Sequence, residues 1–459
     1  MNKIKFSRIL VIFTLICITV TFSACNFGGT SVLDIATQNG LDSTENESTT
    51  PTQTTIVNEF NTNVSKDITQ VDLYDAYLDL KNNEGYEGSF SKFLREYLGE
   101  IDTSESTLEY TTNRCLLSVV EVYAKFTIAN QFYTQSGTSA GSGVFYQIDK
   151  STGDALIITN YHVVYNANST TADGISNEII CYTYGSSSPI VCNYLGGSMK
   201  YDLAVLKVTG SEQLKNDDAI VPTFANSDDV TVGETIIAVG NPESDGISAT
   251  SGILCVDSET IRMTSADSST MIDHRVMRID APINSGNSGG GVFNANGELI
   301  GIANAKMVDN EVDNIAYAIP SNVVKYIVNL IVNQCDGTTR TIKRPIIGVT
   351  IQSIESSAYY NGSKAIIVET LIVYQLAETG LLYNKLTIGS TLNKIGITNN
   401  SDPENPTTTE YEISRLFQID VILTAKVGDV VTFYTTSEDG TPLAPVSVTI
   451  TPECLTDIA

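Results

Sequence analysis

Histidine is nearly absent from this chain: His162 and His274 are the only two among 459 residues. Any imidazole chemistry therefore rests on one of two positions. Basic residues are scarce as well, 26 Lys and Arg against 53 Asp and Glu, and no segment gathers them into a cluster. A formal charge of −27 repels phosphate backbones, so no nucleic-acid partner is expected. The eight cysteines include no C-x-x-C and no Cys/His spacing of a zinc site. No metal and no cofactor is expected.

The hydrophobic run at the N-terminus is too short for a membrane span. Ile9 to Ala24 covers 16 residues with several Thr and Ser, where a bilayer takes roughly 20. With Lys3, Lys5 and Arg8 before it and "TFSAC" at its end, residues 1–24 read as an export signal. "FSAC" also resembles a bacterial lipobox, although Phe22 stands where Leu is usual. That resemblance implies a lipid on Cys25 and a chain anchored to the outer face of the bacterial cell membrane. An uncleaved N-terminal anchor is the alternative.

What is present is a globular composition, 42% hydrophobic, at a length that suits two to four domains. Residues 25–68 are dominated by Thr, Asn, Ser and Gln and read as a disordered tether. Residues 69–104 carry helical spacing twice, in Leu73, Tyr77 and Leu80 and again in Phe90, Phe93, Leu94, Tyr97 and Leu98, predicting a short helical hairpin. From 107 to 338 come short β-rich runs such as "SVVEVYAKF", "ALIITN" and "TIIAVG", punctuated by turn residues, which predict an all-β sandwich or barrel. A helix with Ser321 as N-cap closes this region. A second, β-rich unit occupies 343–454, with a short helix expected in "TTEYEISRLFQ". Cys181 and Cys192 flank "GSSS" symmetrically, so a hairpin turning there would place them opposite one another as a possible disulfide. Two buried free thiols are the alternative.

Three strings carry chemistry: "TNYHVV" around His162, "KYDLAVLKV" around Asp202 and "INSGNSGGGVF" around Ser288. A serine hydroxyl is a poor nucleophile until an imidazole takes its proton and a carboxylate fixes that imidazole's tautomer. Each partner occurs here once in a plausible setting, in the order His, Asp, Ser. Glycines at 286, 289 and 290 allow a tight turn whose N–H groups at Gly286 and Ser288 form an oxyanion hole. His274 lies outside any such motif and is expected to be structural or exposed.

Residues 107–338 resemble the protease domain of the HtrA (Deg) family of trypsin-like serine endopeptidases. "TNYHVV", "YDLAVLKV", "VGNP", "INSGNSGG", "GELIGI" and "YAIPS" follow that family's motifs in order. The resemblance implies a chymotrypsin-like double β-barrel, catalysis by His162, Asp202 and Ser288, and a homotrimer. It further implies that the 343–454 unit is a PDZ-like domain, with Ile346, Ile347, Gly348 and Val349 as the loop receiving a peptide C-terminus. Gly389 and Ser390 depart from that pattern, where the family usually has "GD". Asn287 replaces the Asp of digestive relatives, so activation by a freshly cut N-terminus is not expected. Pro282 and Ile283 are expected to line the base of the substrate pocket, with "GIANAKM" as a wall and Lys306 beside it. An uncharged base favours small or medium aliphatic residues. The expected function is ATP-independent cleavage of misfolded or unfolded exported proteins; a peptide-binding chaperone or adaptor with little proteolysis is the alternative.

Overall fold

The computed structural model describes residue 81 and residues 108–129, 134–305, 315–402 and 404–458. The export signal, Cys25, the tether, the expected helical hairpin and Lys306 lie outside the described residues, apart from the single helical residue Lys81. Among the described residues no helix is long and apolar enough to cross a membrane.

The chain is mainly β. A helix, α1 (Leu108–Leu116), leads into six strands: β1 (Val119–Ala129), β2 (Thr134–Asp149), β3 (Asp154–Thr159), β4 (Glu178–Thr183), β5 (Ile190–Ser198) and β6 (Leu203–Val208). They close into a barrel in the order β1-β2-β3-β6-β5-β4. Val120, Val122 and Ala124 alternate inward along β1 and meet Phe145, Ile157, Leu206 and Cys181 in its interior. Two short helices, α2 (Tyr161–Val164) and α3 (Glu212–Asn216), decorate this half.

The second barrel takes β7 (Thr235–Gly240), β8 (Ser248–Thr264), β9 (Met271–Ile279), β10 (Gly291–Asn294), β11 (Leu299–Ala303) and β12 (Ala316–Pro320). It closes in the order β10-β11-β12-β9-β8-β7. Between the barrels runs a shared core of Val144, Ile158, Val205, Val239, Phe293 and Ile302, capped by the closing helix α4 (Ser321–Gln334) through Val324, Ile327 and Ile331. Ser321 is not the N-cap of that helix. Pro320 holds that position, and Ser321, as first helical residue, gives its hydroxyl to the Ala225 carbonyl at 2.8 Å. Ser227 does the capping from another segment, accepting from the Asn322 N–H at 3.1 Å.

The hairpin holding the two cysteines turns one residue earlier than the symmetry of "GSSS" suggests. Gly185 takes the left-handed conformation, φ +70°, and Ser186 N–H closes the turn on the Thr183 carbonyl at 3.0 Å. Cys181 therefore faces Ile190 and Cys192 faces Ile179, a diagonal pair rather than an opposed one. Both are buried free thiols with their sulfurs 3.1 Å apart.

After α4 the chain forms β13 (Ile342–Pro345), β14 (Val349–Tyr360), β15 (Ala365–Leu376), β16 (Thr391–Asn399), β17 (Thr407–Glu412), β18 (Val430–Thr436), β19 (Val446–Thr449) and β20 (Leu455–Ile458). β14-β15-β16-β18-β19 make one sheet, with β17 paired to β16. The helix expected across 408–418 is strand over 408–412: "TTTEYE" is rich in β-branched and aromatic residues and pairs with β16, where Lys394 contacts both Glu410 and Glu412. Only from Leu416 to Thr424 does a 3-10 helix follow. β20 leaves this sheet and pairs with β13, bringing Ile458 beside Ile342 in the shared core.

Candidate active site

His162, Asp202 and Ser288 come from three separate segments at the cleft between the barrels. β3 ends at Thr159, and the next residue, the buried Asn160, donates its side-chain amide to the Asp202 carbonyl at 2.9 Å. The one-turn helix α2 follows, anchored by the buried Val163 and Val164, and leaves His162 at the surface of the cleft with 20% of its side chain exposed. Asp202 sits just before β6 in a left-handed conformation, φ +51°, which Asp tolerates better than most residues. Ser288 lies in a turn between Gly286, φ +94°, and Gly289, φ +87°.

The three side chains form one hydrogen-bonded row. His162 Nδ1 lies 2.7 Å from Asp202 Oδ2, and Nε2 lies 2.9 Å from Ser288 Oγ. The carboxylate can only accept, so the network places the imidazole proton on Nδ1 and leaves the Nε2 lone pair facing the serine hydroxyl. Asp202 Oδ1 also accepts the His162 backbone N–H at 3.0 Å, and Oδ2 accepts Asn304 Nδ2 at 2.7 Å. Burial alone would push this carboxyl up. The charge and hydrogen bonds of His162, with the Asn304 amide, outweigh burial and hold it below the ordinary carboxylate range. Ser288 Oγ accepts the Ala305 N–H at 3.2 Å, which leaves its own proton free for His162.

Around Ser288 the turn is packed against backbone. A Cβ on Gly289 would stand 2.1 Å from the Ser142 carbonyl oxygen, and one on Gly286 would stand 2.1 Å from that of Asn241. Neither the Gly286 nor the Ser288 N–H has an acceptor among the described residues. Both remain available to an oxyanion.

The other sequence-predicted positions are more mixed. Ile283 is buried with Ala281 and Ala303 in the core of the second barrel, whereas Pro282 is exposed and its carbonyl accepts Thr250 Oγ1 at 3.1 Å. Ile346 contributes no free N–H to a carboxylate loop, because it already donates to the Cys454 carbonyl at 2.8 Å. Ile347 is buried in the C-terminal core, Gly348 is left-handed at φ +82°, and their carbonyls accept from Leu381 and Ala377. His274 is buried on β9, 8% exposed, away from the row formed by His162. Among the described residues no cluster of His, Cys, Asp and Glu could hold a metal ion. Asn304, Ser142 and Asn241 were not singled out from sequence. The available signal was an Asn closing each of two apolar strands, in "GIAN" and "AVGN".

Residues 141–302 match the trypsin-like peptidase domain. Over 234 residues the chain is 34% identical to the serine protease Do-like HtrA of Lactococcus lactis, covering 50% of this chain and 52% of the relative. It is 35% identical over 224 residues to the protein of the same description from Bacillus subtilis, covering 48% and 44%. Among solved structures, the HtrA-type protease AlgW with a decapeptide superposes with a TM-score of 0.46 at 19% identity, covering 75% of this chain and 98% of that one. The chain spans about half the length of the curated relatives it matches. Residues 141–302 thus match a trypsin-like peptidase domain, and about half of the chain is similar to Do-like HtrA serine proteases.

Proposed function

We propose that this chain is an ATP-independent serine endopeptidase acting on unfolded or misfolded exported polypeptides. The observation that carries the reading is the row Asp202, His162, Ser288, with its two contacts of 2.7 and 2.9 Å. In the proposed reaction Ser288 Oγ attacks the scissile carbonyl while its proton passes to His162 Nε2. Asp202, kept ionised, balances the imidazolium, and the N–H groups of Gly286 and Ser288 receive the oxyanion. The C–N bond then breaks as His162 gives its proton to the leaving amine. Water, deprotonated by the same ring, releases the acyl group from Ser288.

The expected partners are unfolded polypeptides in the cleft and peptide C-termini at the C-terminal unit, read as PDZ-like. The proposal also includes a homotrimer and, through Cys25, a lipid anchor at the outer face of the cell membrane. The likeness of this chain to Do-like HtrA proteases supports the class of reaction.

Full-length protein should cleave reduced casein, and Ser288→Ala and His162→Ala should each lower kcat by at least about a thousand-fold. His274→Ala is expected to keep most activity. A Ser288→Ala protein as active as wild type would remove the assignment. Fatty-acid labelling that marks Cys25→Ala as strongly as wild type would remove the anchor.

A further inference from the structure

We propose that Ser142 is a positioning residue of the oxyanion hole, whose hydroxyl holds the nucleophile turn with the Gly286 and Ser288 N–H groups turned toward the cleft. The proposal rests on the reading of Ser288 as nucleophile and adds a residue from a different strand, β2.

Four consecutive carbonyls of the turn are tied down on its inner side. The Ser285 carbonyl accepts the Glu243 N–H at 2.8 Å, that of Asn287 accepts the Gly290 N–H at 2.9 Å, and that of Ser288 accepts the Ser142 N–H at 2.8 Å. The fourth, on Gly286, accepts the Ser142 hydroxyl at 2.7 Å. It is the one bond of the four made by a side chain, so it is the one a substitution can delete.

The fully buried Ser142 both donates and accepts through its hydroxyl in this role. Its single hydroxyl proton goes to Gly286, and a lone pair takes the Asn241 N–H at 2.8 Å. Its carbonyl accepts Thr159 Oγ1 at 2.7 Å, which fixes its own backbone.

Why the turn needs this bond follows from the glycine. Gly286 stands at φ +94°, where glycine alone fits without strain, and glycine offers little steric resistance to rotation of the peptide that follows it. That peptide joins the two units carrying the oxyanion-binding N–H groups. If its carbonyl turned outward, its oxygen would present negative charge to the developing oxyanion and draw the neighbouring N–H groups out of line. The Ser142 hydroxyl opposes that rotation, since turning outward would leave a buried donor without a partner.

The test uses the full chain. Ser142→Ala is expected to lower kcat on casein roughly ten- to a hundred-fold, less than removing an oxyanion donor outright, with KM little changed. The midpoint of the pH–rate profile should stay in place, because His162 and Asp202 keep their contacts. Ser142→Cys preserves volume but donates weakly, so it should fall with the alanine variant. Full activity in either variant overturns the proposal, as does a loss that tracks the unfolded fraction at assay temperature. Crystal structures of wild type and Ser142→Ala read the turn without any activity: a Gly286 carbonyl rotated from its inward position is expected, and an unmoved one overturns the proposal. A wild type that cleaves nothing would sink the peptidase reading instead, and the crystal comparison would still decide the role of Ser142.

Discussion

Asn304 is fully buried, and its amide gives one hydrogen bond to the ionised Asp202 at 2.7 Å. Hydrogen bonds to charged groups are worth about 1.5–3 kcal/mol, so Asn304→Ala should cost that much in urea unfolding. It should also change the acid limb of stability. A carboxyl held below its unfolded value stabilises the fold above about pH 3.9, and the contribution is lost as pH falls through the folded value. Without the Asn304 bond that loss begins at higher pH, which thermal scans between pH 2 and 5 would register. Gly289→Ala belongs to the same scale: a Cβ 2.1 Å from the Ser142 carbonyl, added at φ +87°, should abolish soluble folded protein. His162, Asp202 and Ser288 could be grouped from sequence because each sits in a string whose order and residue types fit one reaction. Asn304 and Ser142 could not, since each acts through a partner more than 100 residues away and no local string joins the two.

The 3-10 helix Leu416–Thr424 meets β9 in a small charged joint. Phe417 lies between two guanidinium groups, with Arg275 at 3.9 Å and Arg415 at 4.9 Å from its ring centre, while Arg415 reaches Asp257 at 3.0 Å and Arg275 faces Asp420 at 3.6 Å. Asp420 keeps 38% of its side chain open to the cavity there, but that opening solvates it less than bulk water does. Burial pushes its carboxyl up despite Arg275. A raised carboxyl favours folding most below the unfolded value of about 3.9, and that advantage disappears as pH rises through the folded value. Asp420→Asn cannot ionise, so at pH 7 its Tm should equal or exceed that of wild type; a fall of several degrees would show that pairing with Arg275 outweighs desolvation. Strands were legible at this scale wherever β-branched residues alternate, as along β1. The register of the β4–β5 hairpin was not, because Gly185 decides where the turn falls and a one-residue shift displaces every pair by two.

At the scale of the molecule, the C-terminal strand belongs to the core between the barrels. Ile458, 5% exposed, packs with Ile342 and with α4, although more than 100 residues separate the paired strands β13 and β20. Ile458→Ala should therefore cost about 2–5 kcal/mol and lower the Tm of the peptidase domain itself, not of the C-terminal sheet alone. A calorimetric trace in which only a separate, smaller transition moves would contradict this. By itself the sequence determined the mainly β class and the residue types from which His162, Asp202 and Ser288 are proposed as catalytic groups, because strand periodicity and motif chemistry are local properties. Only the tertiary structure decided which amide orients Asp202, which hydroxyl holds the Gly286 carbonyl and where the last strand docks. These are pairings across long stretches of chain, set by the closure of the two barrels and by the separate β13–β20 pair, that no single segment encodes.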